Sequence, residues 1–488
     1  MDKIYLVLPE KLGKVAPEIY GVFAEHIGGV IYDGIYCGED SGAENIRGFR
    51  KMIIDKMKEA GISMIRWPGG CFAEVYDWRD GIGPKEDRPT RVSWWTRFDG
   101  KYESNQVGTD EFLDFCQLCE AEPYVAANIT STTPLNIRDW VDYCNSPAGT
   151  TTMAKLREKN GHKEPYNVKY WGVGNENWGG GGNMTPEYYA MEFRRYAEMM
   201  YNVTDGLQLI ACGSNGTDYE WHRKLLDNIT SPGSPRFTMA GVAPHYYTGG
   251  MDTEPVNFDV AMWDKVIGFA GKIEDAIKRF WAQAVANRQE ANAKLCIDEW
   301  GCWHKDGTGP SKGGNLFEQQ SSQMDAVVAA LTLNIFNNNC EKIKLATVAQ
   351  LVNNLHALFL SAGEKCICTP SYHVFKMYRS HQNGAAVRSI PTGENCSVSA
   401  SVKDGILTVT VANLSATEEL NVQLDTLGGV MGKCAQLTVL GDGDIHAHNT
   451  FEDPERLVSV SSEIADFDGK LNLAPGAIAA VTVPYSEN

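Results

Sequence analysis

One repeated alternation constrains this chain more than any other feature. Eight short apolar runs, rich in β-branched and aromatic residues, are separated by longer amphipathic stretches. The runs fall at 18–26, 61–70, 122–129, 167–177, 207–214, 241–248, 294–301 and 343–353. Strands that alternate with helices pair in parallel, because each helix returns the chain to the same end of the sheet. The intervening stretches carry the matching helical pattern. In FRKMIIDKMKEA, Met52, Ile53, Ile54 and Met57 are apolar with charges opposite, and Thr185-Pro186 reads as a cap followed by a first-turn proline. Eight such units match an α/β fold of the (β/α)8 TIM-barrel type, expected here over 15–380. An open doubly wound sheet is the alternative, but no GxGxxG follows the first strand.

Past SYHVFKMYRSHQ the pattern changes. Short alternating runs such as CSVSASV, GILTVTVANL and AIAAVTVPY are separated by Gly, Asn and Asp turns. That pattern predicts a C-terminal all-β sandwich domain over 381–488, which the N-terminal segment 1–14 is expected to join. No long linker separates the two units, so a packed interface between them is expected.

The chain has 488 residues and a formal net charge of −18, from 62 acidic and 44 basic side chains. Such a field repels phosphate backbones and anionic membranes, and no basic cluster interleaved with aromatics offsets it. No nucleic-acid partner and no membrane association are therefore expected. The apolar run Ile4–Pro9 is too short for a signal-peptide core, and no segment approaches a membrane span. Thirteen cysteines lack a regular framework, which reads as buried thiols in a reducing, cytoplasmic compartment. Cys116 and Cys119 form one CxxC, but no second pair stands at zinc-ligand spacing. The ten histidines include no HExxH, so neither a metal nor a cofactor is expected.

Active sites of such barrels form at the C-terminal strand ends. Those ends carry Glu25-His26, Arg66-Trp67-Pro68-Gly69-Gly70, Asn175-Glu176-Asn177-Trp178, His245-Tyr246-Tyr247, Asp298-Glu299-Trp300, Gln350 and Asn353. Polar and aromatic groups thus converge on one rim, the composition of a sugar site. Two glutamates at the ends of strands four and seven suit glycosidic bond cleavage. One carboxyl protonates the leaving oxygen, and the other attacks the anomeric carbon from about 5–5.5 Å away in retaining enzymes. Glu176, beside aromatics, suits the acid/base role, and Arg66 can stabilise an ionised Glu299.

The stretches GVFAEHIGGVIYDGIY, MIRWPGGCFAEVYDWRDGIGP, YWGVGNENWGGGGNMTPEYYA, APHYYT, CIDEWGCWH and ATVAQLVNNLHALF together resemble the family 51 glycoside hydrolases, the α-L-arabinofuranosidases. They run through nearly the whole barrel in family order. The resemblance implies that Glu176 is the acid/base, Glu299 the nucleophile, and Asn175 the partner of the sugar's 2-hydroxyl. It implies that Arg66, Tyr247 and Gln350 position Glu299 and the furanose, that Glu25 meets ring hydroxyls, and that His245 supports the acid/base. On the residues alone, Glu25-His26 also reads as a strand-end ion pair, His245 as a core histidine, and Tyr247 and Gln350 as filling of the barrel mouth. Trp94, Trp95 and Trp178 are candidate walls against sugar rings, or simply core.

One departure stands out. Many relatives carry a second cysteine in the glycine run Gly179–Gly182, near the counterpart of Cys71, whereas position 180 here is Gly180. Cys71 is therefore expected to be a free thiol that meets substrate through its backbone N–H, and the loop to be flexible. The expected activity is exo-acting, retaining release of terminal α-L-arabinofuranosyl residues from arabinoxylan or arabinan oligosaccharides. The family implies a homo-oligomer, in many members a hexamer. The rival readings are a β-D-xylosidase, an endo-acting glucanase or xylanase, and a barrel that binds carbohydrate without turnover.

Overall fold

The computed structural model describes residues 2–229, 239–250 and 252–487. Eight parallel strands close into a barrel: Gly21–Phe23, Met64–Trp67, Glu122–Ala127, Tyr170–Val173, Gln208–Cys212, Met239–Ala243, Lys294–Trp303 and Ile343–Ala349. They are counted one to eight below, and strand eight pairs with strand one to shut the ring. Helices cover the outside, so strands such as Met64–Trp67 and Tyr170–Val173 are buried on both faces. Met64, Tyr124, Tyr170, Ile210, Cys296 and Leu345 point inward and pack together as one layer of the barrel interior.

The helical signals act as their chemistry requires. Lys51–Ala60 buries Ile53, Ile54, Met57 and Ala60 and stops at Gly61, whose φ of 67° suits glycine. Phe49 and Arg50, inside the sequence pattern of that helix, instead form a short strand. Thr185 accepts from the Tyr188 amide at the start of Pro186–Tyr201, with Pro186 in the first turn.

The C-terminal domain is a sheet curled around its own core, which includes Val398, Val409, Val422 and Val481. The N-terminal strand Asp2–Lys14 lies within it, antiparallel to Ala385–Pro391 and parallel to Leu420–Leu427. Ile4, Leu6 and Leu8 alternate into that core at the strand period of two.

The helix Gln323–Asn338 joins the two units. It is apolar around most of its circumference and is buried almost throughout. Two of its polar side chains meet the C-terminal sheet: Asn334 and Asn337 bond Ser397 and Ser399, and Asn334 also accepts from Thr410. A buried apolar side chain is worth about 1.5–3 kcal/mol, so Val327, Val328, Leu333 and Phe336 make this helix a shared core.

Candidate active site

Strand seven carries an irregularity that decides the site. Side chains alternate along a regular strand, so inward Cys296 predicts inward Asp298 and outward Glu299. Ile297 pairs with Ala346, but the next pair is Trp300 with Val348, three residues against two. Ile297 and Trp300 both pack outward in the helical layer, which leaves Asp298 and Glu299 together at the barrel mouth. The bulge turns two adjacent carboxylates toward one point.

Arg66 meets them there. It follows inward Met64 by two positions on strand two, and it is only 1% exposed. Its Nη1 donates to Glu299 Oε1 at 2.8 Å and its Nη2 to Asn175 Oδ1 at 2.6 Å. Its Nε lies 3.2 Å from Asp298 Oδ2, and its plane lies 4.4 Å from the centre of the Phe23 ring. Burial works against the Arg66 charge, but the two carboxylates outweigh it and raise its pKa further. Burial likewise disfavours ionised Asp298, yet Arg66, His245 and Tyr124 hold that carboxyl below its ordinary value.

The other carboxylate is held by a loop. After strand four, Gly174 has a φ of 90°, and a Cβ there would lie 2.2 Å from Asn177 Oδ1. Glu176 itself sits at a φ of 43°. The turn is anchored from beneath by Glu74, which is fully buried. One of its oxygens accepts from the Asn175 amide at 2.7 Å and Asn177 Nδ2 at 2.8 Å; the other accepts from the Ile129 and Thr130 amides, each at 2.9 Å. The glycine run is part of the same turn, since the Glu176 carbonyl accepts from the Gly179 and Gly181 amides.

His245, just past strand six, lies between the two glutamates. Its Nδ1 is 2.8 Å from Glu176 Oε1 and 3.4 Å from Glu299 Oε2, and its Nε2 is 3.1 Å from Asp298 Oδ1. Burial would lower its pKa, but Glu299, Asp298 and Glu176 together raise it to about 10. A carboxylate oxygen of Glu176 and one of Glu299 lie within 4.8 Å of each other. Tyr247 donates to Glu299 Oε2 at 2.6 Å, so each Glu299 oxygen has its own donor.

Glu25 accepts from the Phe72 amide at 2.9 Å and from Trp95 Nε1 at 3.0 Å. A Cβ on Gly70 would stand 3.0 Å from Glu25 and 3.2 Å from Glu299, which places Glu25 across that glycine from Glu299. Burial and the Glu299 charge push the Glu25 carboxyl up to about 8. Its neighbour His26 pairs instead with Glu103 at 2.8 Å, so no Glu25–His26 ion pair forms. Gln350 bonds away from Glu299: its Oε1 accepts from the Glu25 amide at 2.9 Å, and its Nε2 donates to Asn354. Cys71 is unpaired, with Sγ 3.9 Å from Glu176 Oε2. Trp94 flanks Gly180, and Trp95 and Trp178 are half-buried against the core.

Many known proteins resemble this chain in sequence and fold. A family model described as the α-L-arabinofuranosidase C-terminal domain matches residues 298–475, and one described as the α-L-arabinofuranosidase 1 domain matches 56–253. An intracellular exo-α-L-arabinofuranosidase of Bacteroides ovatus is 37% identical over 458 residues, covering 90% of this chain and 87% of that protein. The solved family 51 arabinofuranosidase of Xanthomonas axonopodis pv. citri superposes with a TM-score of 0.90 at 31% identity, covering 99% of this chain and all of that one. An α-L-arabinofuranosidase of Thermotoga maritima, solved as an arabinose complex, gives 0.87 at 28% identity, with 99% of this chain and 100% of that one covered. The chain belongs to the family 51 α-L-arabinofuranosidases. It is a glycoside hydrolase, and its activity is arabinofuranosidase activity.

Within this family member, two residues of the cleft escape sequence reasoning. Asp298 is legible as part of a strand end, but its link to both Arg66 and His245 depends on the bulge. Glu74 carries no local signal, because its four donors come from segments about 55 and 100 residues downstream.

Proposed function

We propose that the enzyme removes terminal α-L-arabinofuranosyl residues from arabinan or arabinoxylan oligosaccharides with net retention of configuration. The observation that carries the mechanism is the approach of the two carboxylates to within 4.8 Å. An inverting site keeps its carboxyls about 6.5–9.5 Å apart to hold a water between them. In the first step Glu176 gives its proton to the glycosidic oxygen while a Glu299 oxygen bonds the anomeric carbon, and the aglycone leaves as an alcohol. In the second, Glu176 takes a proton from water, whose oxygen bonds the anomeric carbon as the Glu299 ester breaks.

The surrounding residues support these steps. Arg66 and Tyr247 orient Glu299 and spread its charge. Asn175 presents its Nδ2 to the cleft; the amide oxygen is taken by Arg66, and Nδ2 is buried without a partner among the described residues. A sugar hydroxyl would satisfy it, and the bond strengthens as the ring gains positive charge. Protonated Glu25 offers a donor beside Trp95. A cytoplasmic site of action suits short imported oligosaccharides and agrees with the name of the Bacteroides ovatus relative.

The test is the anomer first seen by proton NMR during hydrolysis of p-nitrophenyl α-L-arabinofuranoside, with the β-D-xylopyranoside alongside. Initial α-arabinofuranose is expected. Initial β-anomer would overturn retention, and faster release from the xyloside would overturn the substrate assignment.

A further inference from the structure

Three residues past Glu299, strand seven carries a second group of chemistry-bearing side chains. Cys302 Sγ, a His304 ring nitrogen and an Asp325 carboxylate oxygen lie within 4.8 Å of one another. All three residues are buried, with exposures of 0, 1 and 0%. Outside the catalytic cleft, no other such group occurs among the described residues.

The hydrogen bonds around this group determine which atoms remain free. Asp325 begins the helix Gln323–Asn338, where its Oδ2 accepts from the Ser322 amide at 2.8 Å. Its Oδ1 has no hydrogen-bond partner among the described residues. Thr253 Oγ1 donates to the Gly250 carbonyl at 2.8 Å, so toward His304 Nδ1, 2.5 Å away, it acts as acceptor. Nδ1 therefore carries a proton, and Nε2 faces the group, with a lone pair on the neutral ring or an N–H on the imidazolium. His304 Nε2 and Asp325 Oδ1 lie 3.3 Å apart, yet neither has a hydrogen-bond partner among the described residues.

In a dry site this nitrogen and this carboxylate oxygen need a positive centre between them, either a proton on Nε2 or a metal ion, and the nearby Cys302 thiol adds a third ligand that only a metal ion would use. Tetrahedral zinc with N and O ligands at about 2.0–2.1 Å sets them about 3.3–3.4 Å apart, the separation found here. One thiolate, one carboxylate and a neutral imidazole carry two negative charges, which a divalent cation neutralises. We propose that Cys302, His304 and Asp325 bind a zinc-type divalent cation. The fourth position of the tetrahedron is left to a small ligand such as water. The cation would tie the strand that carries Glu299 to the helix shared by the two domains. Sequence spacing hides the site: Cys302 stands on strand seven and His304 just past its end, and Asp325 arrives from the next helix.

The test uses tag-free full-length protein. Metal content by mass spectrometry is expected near one zinc per chain. Cobalt added to chelator-treated protein should give a thiolate-to-cobalt charge-transfer band in the near ultraviolet and intense tetrahedral bands in the visible. Cys302→Ser should lose the charge-transfer band, His304→Ala should lose the metal, and Cys116→Ser should change neither. Absence of both zinc and the cobalt–thiolate band in the unmutated protein would overturn the site and leave a buried imidazolium–carboxylate pair. Equal metal content in the unmutated protein and Cys302→Ser would overturn the role of the thiol. These readouts do not depend on glycosidase activity.

Discussion

The two ends of the catalytic cleft are built differently. Glu299 lies within a strand, its side chain 7% exposed, and both oxygens are held by side chains from neighbouring strand ends, Arg66 and Tyr247. Glu176 lies on a turn, its side chain 20% exposed, at a strained φ, and its backbone is set by Glu74 and the glycine run. In the proposed roles, the nucleophile Glu299 has to be fixed in direction and charge, and a bulged strand provides that rigidly. An acid/base must exchange protons with substrate and water in turn, and a partly open loop permits it. His245 touches both ends.

Breaking either end should give opposite patterns. Glu299→Ala is expected to lower kcat on p-nitrophenyl α-L-arabinofuranoside by about 10⁴-fold or more, with azide restoring turnover as an inverted glycosyl azide. Glu176→Ala should lower kcat on the nitrophenyl substrate through the second step, which loses its base, while sparing kcat/KM because that leaving group needs little protonation, and should cost about 10²–10⁴-fold in kcat/KM on an oligosaccharide. Equal losses on both substrates in both variants would dissolve the distinction.

A smaller effect tests the loop. Glu74→Gln turns an amide N–H₂ toward backbone donors, and a buried unsatisfied group costs about 1–3 kcal/mol. Denaturant unfolding should show that loss, and oligosaccharide turnover should fall more than nitrophenyl turnover. An equal fall on both would mean that Glu74 supports the whole barrel mouth.

The pH profile separates the groups between the two ends. The Glu25 carboxyl, raised to about 8, stays protonated at neutral pH. Its folded value exceeds the ordinary 4.5, so folding takes up a proton, and its contribution to stability is lost as pH rises toward 8. His245 keeps its charge until about 10, and its contribution, full below the ordinary 6.5, is lost as pH rises from there to about 10. Glu25→Gln should therefore retain activity and remove an alkaline fall of kcat/KM near pH 8, leaving the limb near 10. A large loss of activity at pH 6 would show that Glu25 works as the anion.

The smallest expected effect concerns the glycine run. A Cβ at position 180 would lie 2.8 Å from Cys71 Sγ, close to the Cβ–Sγ span of about 3 Å across a disulfide. Gly180→Cys should cross-link to Cys71 under oxidation, read as two fewer free thiols, with kcat changed less than about twofold by the disulfide at the loop. Failure to cross-link would mean that the turn beneath Glu176 holds the two positions apart.

Much of this site is legible before any coordinates. Strand ends name Glu25, Arg66, Glu176, His245, Tyr247, Glu299 and Gln350, and the structure gathers them around one cleft. Their pairings are less legible: Gln350 serves the Glu25 backbone, and His26 serves Glu103. The glycine run reads as a loose loop, yet its amides are bonded to the Glu176 carbonyl.

Local signals determined the alternation of strands and helices, the cap at Thr185, the turn-rich C-terminal domain and the residues at each strand end. These follow from periodicity and from backbone preferences a few residues long. The tertiary structure alone decided the bulge that turns Glu299 inward beside Asp298, the register of Asp2–Lys14 between Ala385–Pro391 and Leu420–Leu427, and the meeting of Cys302 with Asp325. Each depends on register between distant segments, where a shift of one residue reverses the face a side chain presents.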